Sequence, residues 1–320
     1  MENNVLIIGG LGFIGFHIAG ELKQNNYNVS IGSRTSSTLK TITTPIIHIN
    51  LQQMSDTEIE KKISQFDYII FAGGADDRVF LNETALPFFY KENVTPCVRL
   101  ATISRNLKTQ KIIILGSYFT YFNRTRPEWK MAEQHPYIKS RVLQYRESAA
   151  ASENKTHIIV LEIPYVFGAT PEKTPLWKPL IKYIKKAPMI FYTKGGTNIM
   201  SVEQVAKATL GVIENTQQSD CIVIGNQNVT WKQMIGMISK TLHQNKHVIS
   251  VPTNIVRLVA FLARLYFHLF NKQTGLDVYH FIKIQTATTF LDTKASMNLL
   301  NYKKADMQKA IDETVKACKL

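Results

Sequence analysis

The stretch Val5-Leu6-Ile7-Ile8-Gly9-Gly10-Leu11-Gly12-Phe13-Ile14-Gly15-Phe16-His17-Ile18-Ala19 decides how the rest of the chain is read. An apolar run suits a buried strand, the glycines at 9, 12 and 15 follow at a spacing of three, and Ile14, Ile18 and Leu22 share one face of a helix. The first backbone N–H groups of a helix have no partner inside it, so its positive end offers a seat for a pyrophosphate. Glycine lets the chain turn tightly there, approach the phosphates and pack helix against strand. The spacing points to a dinucleotide-binding loop. The competing reading is a strand-to-helix turn that needs glycine for packing alone.

The 320 residues suffice for one large α/β domain, or for a main domain with a smaller lobe. With 45% hydrophobic and 19% charged residues the balance is that of a globular chain, not a disordered one. Cys97, Cys221 and Cys318 show no C-x-x-C spacing, which argues against a disulfide frame or a zinc site and suits a reducing compartment. The net charge of +14 attracts anions. The lysines are dispersed and no nucleic-acid-binding motif accompanies them, so the charge is read as a preference for a phosphorylated cofactor rather than nucleic acid. Met1-Glu2-Asn3-Asn4 is polar and Val5–Ile8 is too short for the apolar region of a signal peptide, so a cytoplasmic location is expected.

Short apolar runs alternate with helical patterns through the first half, the signature of a parallel sheet covered on both faces. The strands are expected at Val5–Ile8, Asn28–Gly32, Ile46–Ile49, Tyr68–Ala72, Ile112–Gly116 and Ile158–Ile163. Helices are expected after Gly12, over Pro87–Leu107 and from about Tyr137 onward. Prolines at 171, 175, 179 and 188 then break the chain into loops around a short helix, Leu176–Lys186. From Val202 the pattern reads helix, strand (Cys221–Ile224), helix, and a long apolar helix, with no linker marking an independent second domain.

Ser117 ends the apolar run Ile112–Gly116, and twenty positions on stands Tyr137-Ile138-Lys139-Ser140-Arg141. Residues four apart on a helix share a face, so the Tyr137 phenol and the Arg141 cation can reach one ligand. A free phenol titrates near 10, and a neighbouring cation favours the phenolate, moving it toward working range. A serine hydroxyl at a strand end can hold the substrate oxygen beside the phenol. Together these parts suit proton transfer to a carbonyl that receives hydride from a nicotinamide.

On these residues the chain resembles the extended short-chain dehydrogenase/reductase family, also called the NAD-dependent epimerase/dehydratase family, over nearly its whole length. The glycines match the family's cofactor loop, Phe66–Gly73 its fourth strand, Asn93 its helical asparagine, and Pro164-Tyr165-Val166-Phe167-Gly168 its turn beside the nicotinamide. Phe290–Ala295 with Leu300–Tyr302 is similar to its carboxy-terminal signature. The resemblance implies a Rossmann-type doubly wound parallel sheet, with residues 1–165 forming the dinucleotide-binding part and 166–320 mainly an interwoven substrate lobe. It implies catalytic roles for Ser117, Tyr137 and Arg141. Cofactor contacts would come from Gly9, Gly12, Phe13, Ile14, Gly15, Ala72, Gly73, Tyr137, Arg141, Pro164 and Val166. One departure stands out: the family's Y-x-x-x-K becomes Y-x-x-x-R here, and a planar guanidinium is not equivalent to an ammonium.

Where NAD enzymes of this kind often present a carboxylate to the adenosine 2′-hydroxyl, this chain has Ser33-Arg34-Thr35-Ser36-Ser37. Arg34 with hydroxyls suits a 2′-phosphate, so NADP is expected ahead of NAD, and Asn50 stands where an aspartate often contacts the adenine. Hydride transfer between NADP(H) and a ketone/alcohol pair is therefore the first reading. A nucleotide-sugar epimerase and a dinucleotide-binding pseudo-enzyme are the alternatives. Against the sugar chemistry, Tyr118-Phe119 follow Ser117 where the family's dehydratases carry Asp-Glu, and Thr197 stands where its sugar-nucleotide enzymes tend to place an arginine.

Ile255–Phe270 is apolar around nearly its whole circumference, with Arg257, Arg264 and His268 on one narrow stripe. Such a helix either roofs the core or meets an apolar pocket or a membrane surface. A homodimer also stays open.

Overall fold

The computed structural model describes residues 3–35 and 43–320. Seven strands form its main sheet: β1 (Asn4–Ile8), β2 (Asn28–Ser33), β3 (Ile46–His48), β4 (Tyr68–Phe71), β5 (Lys111–Ser117), β6 (His157–Ile163) and β7 (Asp220–Val223). Their order is β7-β6-β5-β4-β1-β2-β3 and every pairing is parallel. Both faces are buried, which is why the strands read as continuous apolar runs. Alternate residues serve opposite cores. Val5, Ile7, Ile113, Leu115, Ile159 and Leu161 pack under the helices Phe13–Gln24 and Val202–Asn215. Leu6, Ile8, Ile112, Ile114, Ile158 and Val160 pack under Asp56–Ile63, Thr95–Ser104 and Pro136–Ser152. Because the order reverses between β1 and β4, a crevice opens at their carboxyl ends, the place where such sheets take their ligands.

The helix expected over 87–107 is interrupted. Ala85–Phe89 passes through one wide turn, Tyr90–Val94, before Thr95–Ser104 continues. Inserted turns of that kind recur at functional sites, and this one holds Asn93.

Residues beyond 164 build short strands that the apolar pattern does not reveal. Gly196–Ser201 pairs with Tyr165–Phe167, Gln227–Thr230 and Thr288–Thr289. Val248–Val251 pairs with Ile190–Thr193, and Gln273–Thr274 with Phe80–Leu81. The helices Val202–Asn215 and Trp231–Thr241 start on reciprocal capping boxes, Ser201 with Gln204 and Thr230 with Gln233, which satisfy their first free N–H groups. The second half is tied into the first through β7, which completes the main sheet beside β6. The long apolar helix Thr253–Leu269 does not roof the core: Ala260 is its only buried residue.

Candidate active site

Every strand that leads to the site delivers its residues at its carboxyl end. After β1, Gly9 adopts φ +86°, a conformation other residues rarely take, and a Cβ there would lie 2.8 Å from the Ala72 carbonyl carbon. A Cβ on Gly15 would lie 2.6 Å from the Gly9 carbonyl oxygen. These two glycines thus let the loop settle onto the end of β4, Ala72-Gly73, and onto the first turn of its own helix. That helix starts at Phe13 with Gly12 at its cap, no side-chain cap hydrogen bond and no acid in the first turn. Its N–H groups and positive dipole end suit a diphosphate, so this cradle fits a dinucleotide. Ile14 is half-buried against the core, and Phe13 reaches the Pro164–Gly168 turn, where its ring would stand 3.7 Å from a Cβ on Gly168.

The chain after that turn folds back over the cradle. His17 Nε2 donates to the Ala169 carbonyl (2.8 Å), the Thr170 hydroxyl to that of Phe13 (3.3 Å), and Lys173 Nζ to that of Leu11. Lys173 is a cation at the phosphate cradle that the sequence pattern did not single out, because it lies 162 residues from its partner. Pro164 is buried beneath, and the Val166 carbonyl accepts from Trp177 Nε1 at 2.8 Å.

Ser33 and Arg34 stand at the end of β2, with Arg34 exposed and the Ser33 hydroxyl donating to the Thr35 carbonyl (2.8 Å). Ser36 and Ser37 lie outside the described residues. The Asn50 side chain is held in a local turn: it accepts from Gln52 N (3.1 Å) and donates to Gln53 (2.8 Å).

Ser117, Tyr137 and Arg141 come together at the ends of β4 and β5, all buried. The Tyr137 phenol interacts with both the Arg141 guanidinium and the Ser117 hydroxyl, and each favours the phenolate. The Arg141 guanidinium carbon stands 5.2 Å from the Tyr137 ring centre. Even so, the phenol is held above its ordinary value, because complete burial outweighs Arg141, and the Asp77 carboxylate nearby adds to the rise. The expected effect of the cation has the right sign but does not win in net.

The guanidinium is held by a framework that a sequence scan does not show. Arg141 Nη1 donates to Gln144 (3.0 Å) and to the Leu115 carbonyl (3.4 Å), and Nη2 to the Ala75 carbonyl (3.4 Å). Gln144 in turn donates to the Asn93 carbonyl (2.7 Å), and Asn93 accepts from Ala75 N (2.8 Å). Among the described residues Arg141 Nε is buried without a partner, a donor left for a further acceptor at the site.

The surroundings are aromatic. Phe89 packs edge-on to Tyr137 at 5.7 Å, and Tyr118 lies 4.8 Å from Phe119 and 5.9 Å from Tyr165. Thr197, buried, shares a 2.9 Å hydrogen bond with the Tyr118 hydroxyl. Lys182, Lys185, Lys186 and Lys194 are exposed. Asp76 and Arg78 form an ion pair in the loop after β4, while burial and the Asp76 charge hold the Asp77 carboxyl above its usual range. Among the described residues no group of three His, Cys, Asp or Glu is placed to hold a metal ion.

A glycine cradle at the switch point of a doubly wound sheet, beside a Ser-Tyr-cation set, defines a nicotinamide-dinucleotide enzyme of the extended short-chain dehydrogenase/reductase type. The chain belongs to the NAD-dependent epimerase/dehydratase family, whose model matches residues 5–225. It is similar to a Dictyostelium discoideum protein described as sterol-4-alpha-carboxylate 3-dehydrogenase, decarboxylating, at 23% identity over 97% of this chain and 99% of that one. Among solved structures, the fold is shared with gox2253 (TM-score 0.82, 15% identity, 99% of this chain and 98% of that one). It is also shared with the UDP-glucuronic acid 4-epimerase of Bacillus cereus in complex with NAD (TM-score 0.70, 14% identity, 99% and 98%).

Proposed function

We propose that this protein is an NADP-dependent oxidoreductase that interconverts a ketone and a secondary alcohol on a large apolar substrate. The observation that carries this reading is the Ser117–Tyr137–Arg141 set, whose tyrosine lies in one apolar cluster with Phe89, Tyr118, Phe119 and Tyr165. In the reducing direction Tyr137 gives its proton to the carbonyl oxygen, Ser117 holds that oxygen by a hydrogen bond, and Arg141 stabilises the phenolate left behind. When bound, the nicotinamide supplies the hydride that reaches the carbonyl carbon. The phenolate then regains a proton from solvent, and in the oxidising direction each transfer reverses.

Residues 166–320 are assigned most of the substrate side, the glycine loop with Phe13, Ile14, Ala72, Gly73, Pro164 and Val166 the cofactor side. Arg34 at the end of β2 supports NADP over NAD, since it can pair with a 2′-phosphate. The sterol dehydrogenase named above supports an apolar alcohol as substrate class. A nucleotide-sugar epimerase is the second reading, favoured by the fold shared with UDP-sugar epimerases. It is disfavoured by Thr197, which is spent on Tyr118 and offers no cation to a diphosphate.

Binding of NADPH and NADH, followed by their fluorescence, tests the cofactor, with Arg34→Ala expected to weaken NADPH selectively. Oxidation of a panel of polycyclic secondary alcohols tests the chemistry, and Tyr137→Phe should lower kcat by at least about a hundredfold. Turnover of UDP-sugars with no oxidation of any apolar alcohol overturns the reading.

A further inference from the structure

The helix Thr253–Leu269 touches the rest of the protein along one narrow seam. Ala260 is buried, Val256, Ala263 and Phe267 are half-buried, and these four fall on one stripe at helical spacing. The opposite side carries Ile255, Leu258, Leu262, Leu265, Tyr266 and Leu269, all exposed, with Leu258 at 60% and Leu269 at 71%. Arg257, Arg264 and His268 run along one flank, between the seam and this apolar face. Phe80, 68% exposed, packs on Phe267 beside the seam with ring centres 5.8 Å apart. Exposed apolar side chains gathered on one face in this way mark a binding face.

The charge of the chain that carries it indicates what covers it. From Cys221 to Leu276 the chain has no Asp or Glu, while Lys232, Lys240, Lys246, Arg257, Arg264 and Lys272 supply six cations, of which Arg264 is paired with Asp277 at 3.2 Å. At 17 residues the helix is about 25 Å long, less than the roughly 30 Å of a bilayer's hydrocarbon. Among the described residues no helix is long and apolar enough to cross a membrane. We propose that Thr253–Leu269 is a docking helix that lies flat in the interface of an anionic phospholipid membrane, leucines inward and cations toward the headgroups.

The helix is also wired to the active site. It continues through Lys272, which donates to Asn82, into Gln273–Thr274, which pairs with Phe80–Leu81. Directly after, the Gly275 carbonyl accepts from Tyr137 N at 2.9 Å, and Asp277 N donates to His135 Nδ1 at 3.0 Å. Docking therefore holds the segment packed on the acid-base tyrosine at the bilayer surface, where a membrane-dissolved substrate would be drawn from.

Flotation of the full chain with phosphatidylcholine vesicles, and with vesicles containing a third phosphatidylglycerol, tests this. The protein should float with the anionic vesicles, less with neutral ones, and less again as salt is raised. Leu258→Gln combined with Leu262→Gln should weaken binding by roughly a hundredfold, with melting temperature and NADPH affinity unchanged as controls of folding. Recovery of the wild type in the unbound fraction with both vesicle types overturns the proposal. If that result accompanies a wild-type dimer which the double variant dissociates, a second copy of this chain is the occupant instead.

Discussion

Acidification should weaken this protein through one histidine at the foot of the helix Pro136–Ser152. His135 caps Pro136–Ser152, is buried against Phe281, and spends Nδ1 as an acceptor for Asp277 N–H. Burial pushes it from its ordinary 6.5 down to about 4, only partly opposed by the Asp277 carboxylate. The folded state resists protonation, so the unfolded chain binds more protons between pH 6.5 and 4, and stability falls as pH is lowered through that window. The full gap of about 2.5 pH units corresponds to about 3 kcal/mol, of which about 2 kcal/mol is gone by pH 5. Urea midpoints of wild type and His135→Gln, measured between pH 7.5 and 4.5, isolate the effect, since every other titrating group is common to both. The wild-type curve should fall more steeply than that of the variant. Parallel curves would falsify the burial argument and with it the neutral state of His135. In the folded protein His135 Nδ1 stays an acceptor until the pH approaches 4. Cofactor binding to the folded protein should therefore hold through most of this window and decline only near its lower end, where the strap at Gly275 that meets Tyr137 loosens.

Other perturbations test the site and its support. Arg141→Met removes the cation that favours the Tyr137 phenolate, so in alcohol oxidation the rise of kcat/KM with pH should move to higher pH; an unmoved profile refutes the pairing. Gly15→Ala places a Cβ 2.6 Å from the Gly9 carbonyl oxygen and should weaken dinucleotide binding roughly ten- to a hundredfold by calorimetry, with unchanged affinity counting against the cradle. Arg124→Ala strands Glu162, which is fully buried and held by both guanidinium nitrogens at 2.6 and 2.8 Å. About 2–4 kcal/mol of stability should be lost, read from denaturation midpoints at pH 7. Cys97, buried and pushed up to about 12, should resist a thiol reagent in the native state and react only after unfolding.

The amino-acid sequence by itself determined the main sheet and the location of its crevice. Parallel strands buried on both faces need uninterrupted apolar residues, and a cradle at φ +86° needs glycine, so β1, β4, β5, β6 and Gly9 are written in local composition. Tyr137 and Arg141 were legible for the same reason, since four positions along a helix fix a shared face. The short strands around Gly196–Ser201 were not, because each gains its stability from partners far along the chain rather than from its own pattern. Gln144 shares a helix with Arg141, but the Asn93 carbonyl that anchors Gln144 carries no local signal and meets it only because the inserted turn Tyr90–Val94 packs on Pro136–Ser152. Apolar periodicity in Thr253–Leu269 reads the same whether a helix is buried or exposed; packing alone left it outside the core. Burial is likewise a property of the assembled molecule, and it reversed the net shift that the Tyr137–Arg141 pairing suggests when read alone.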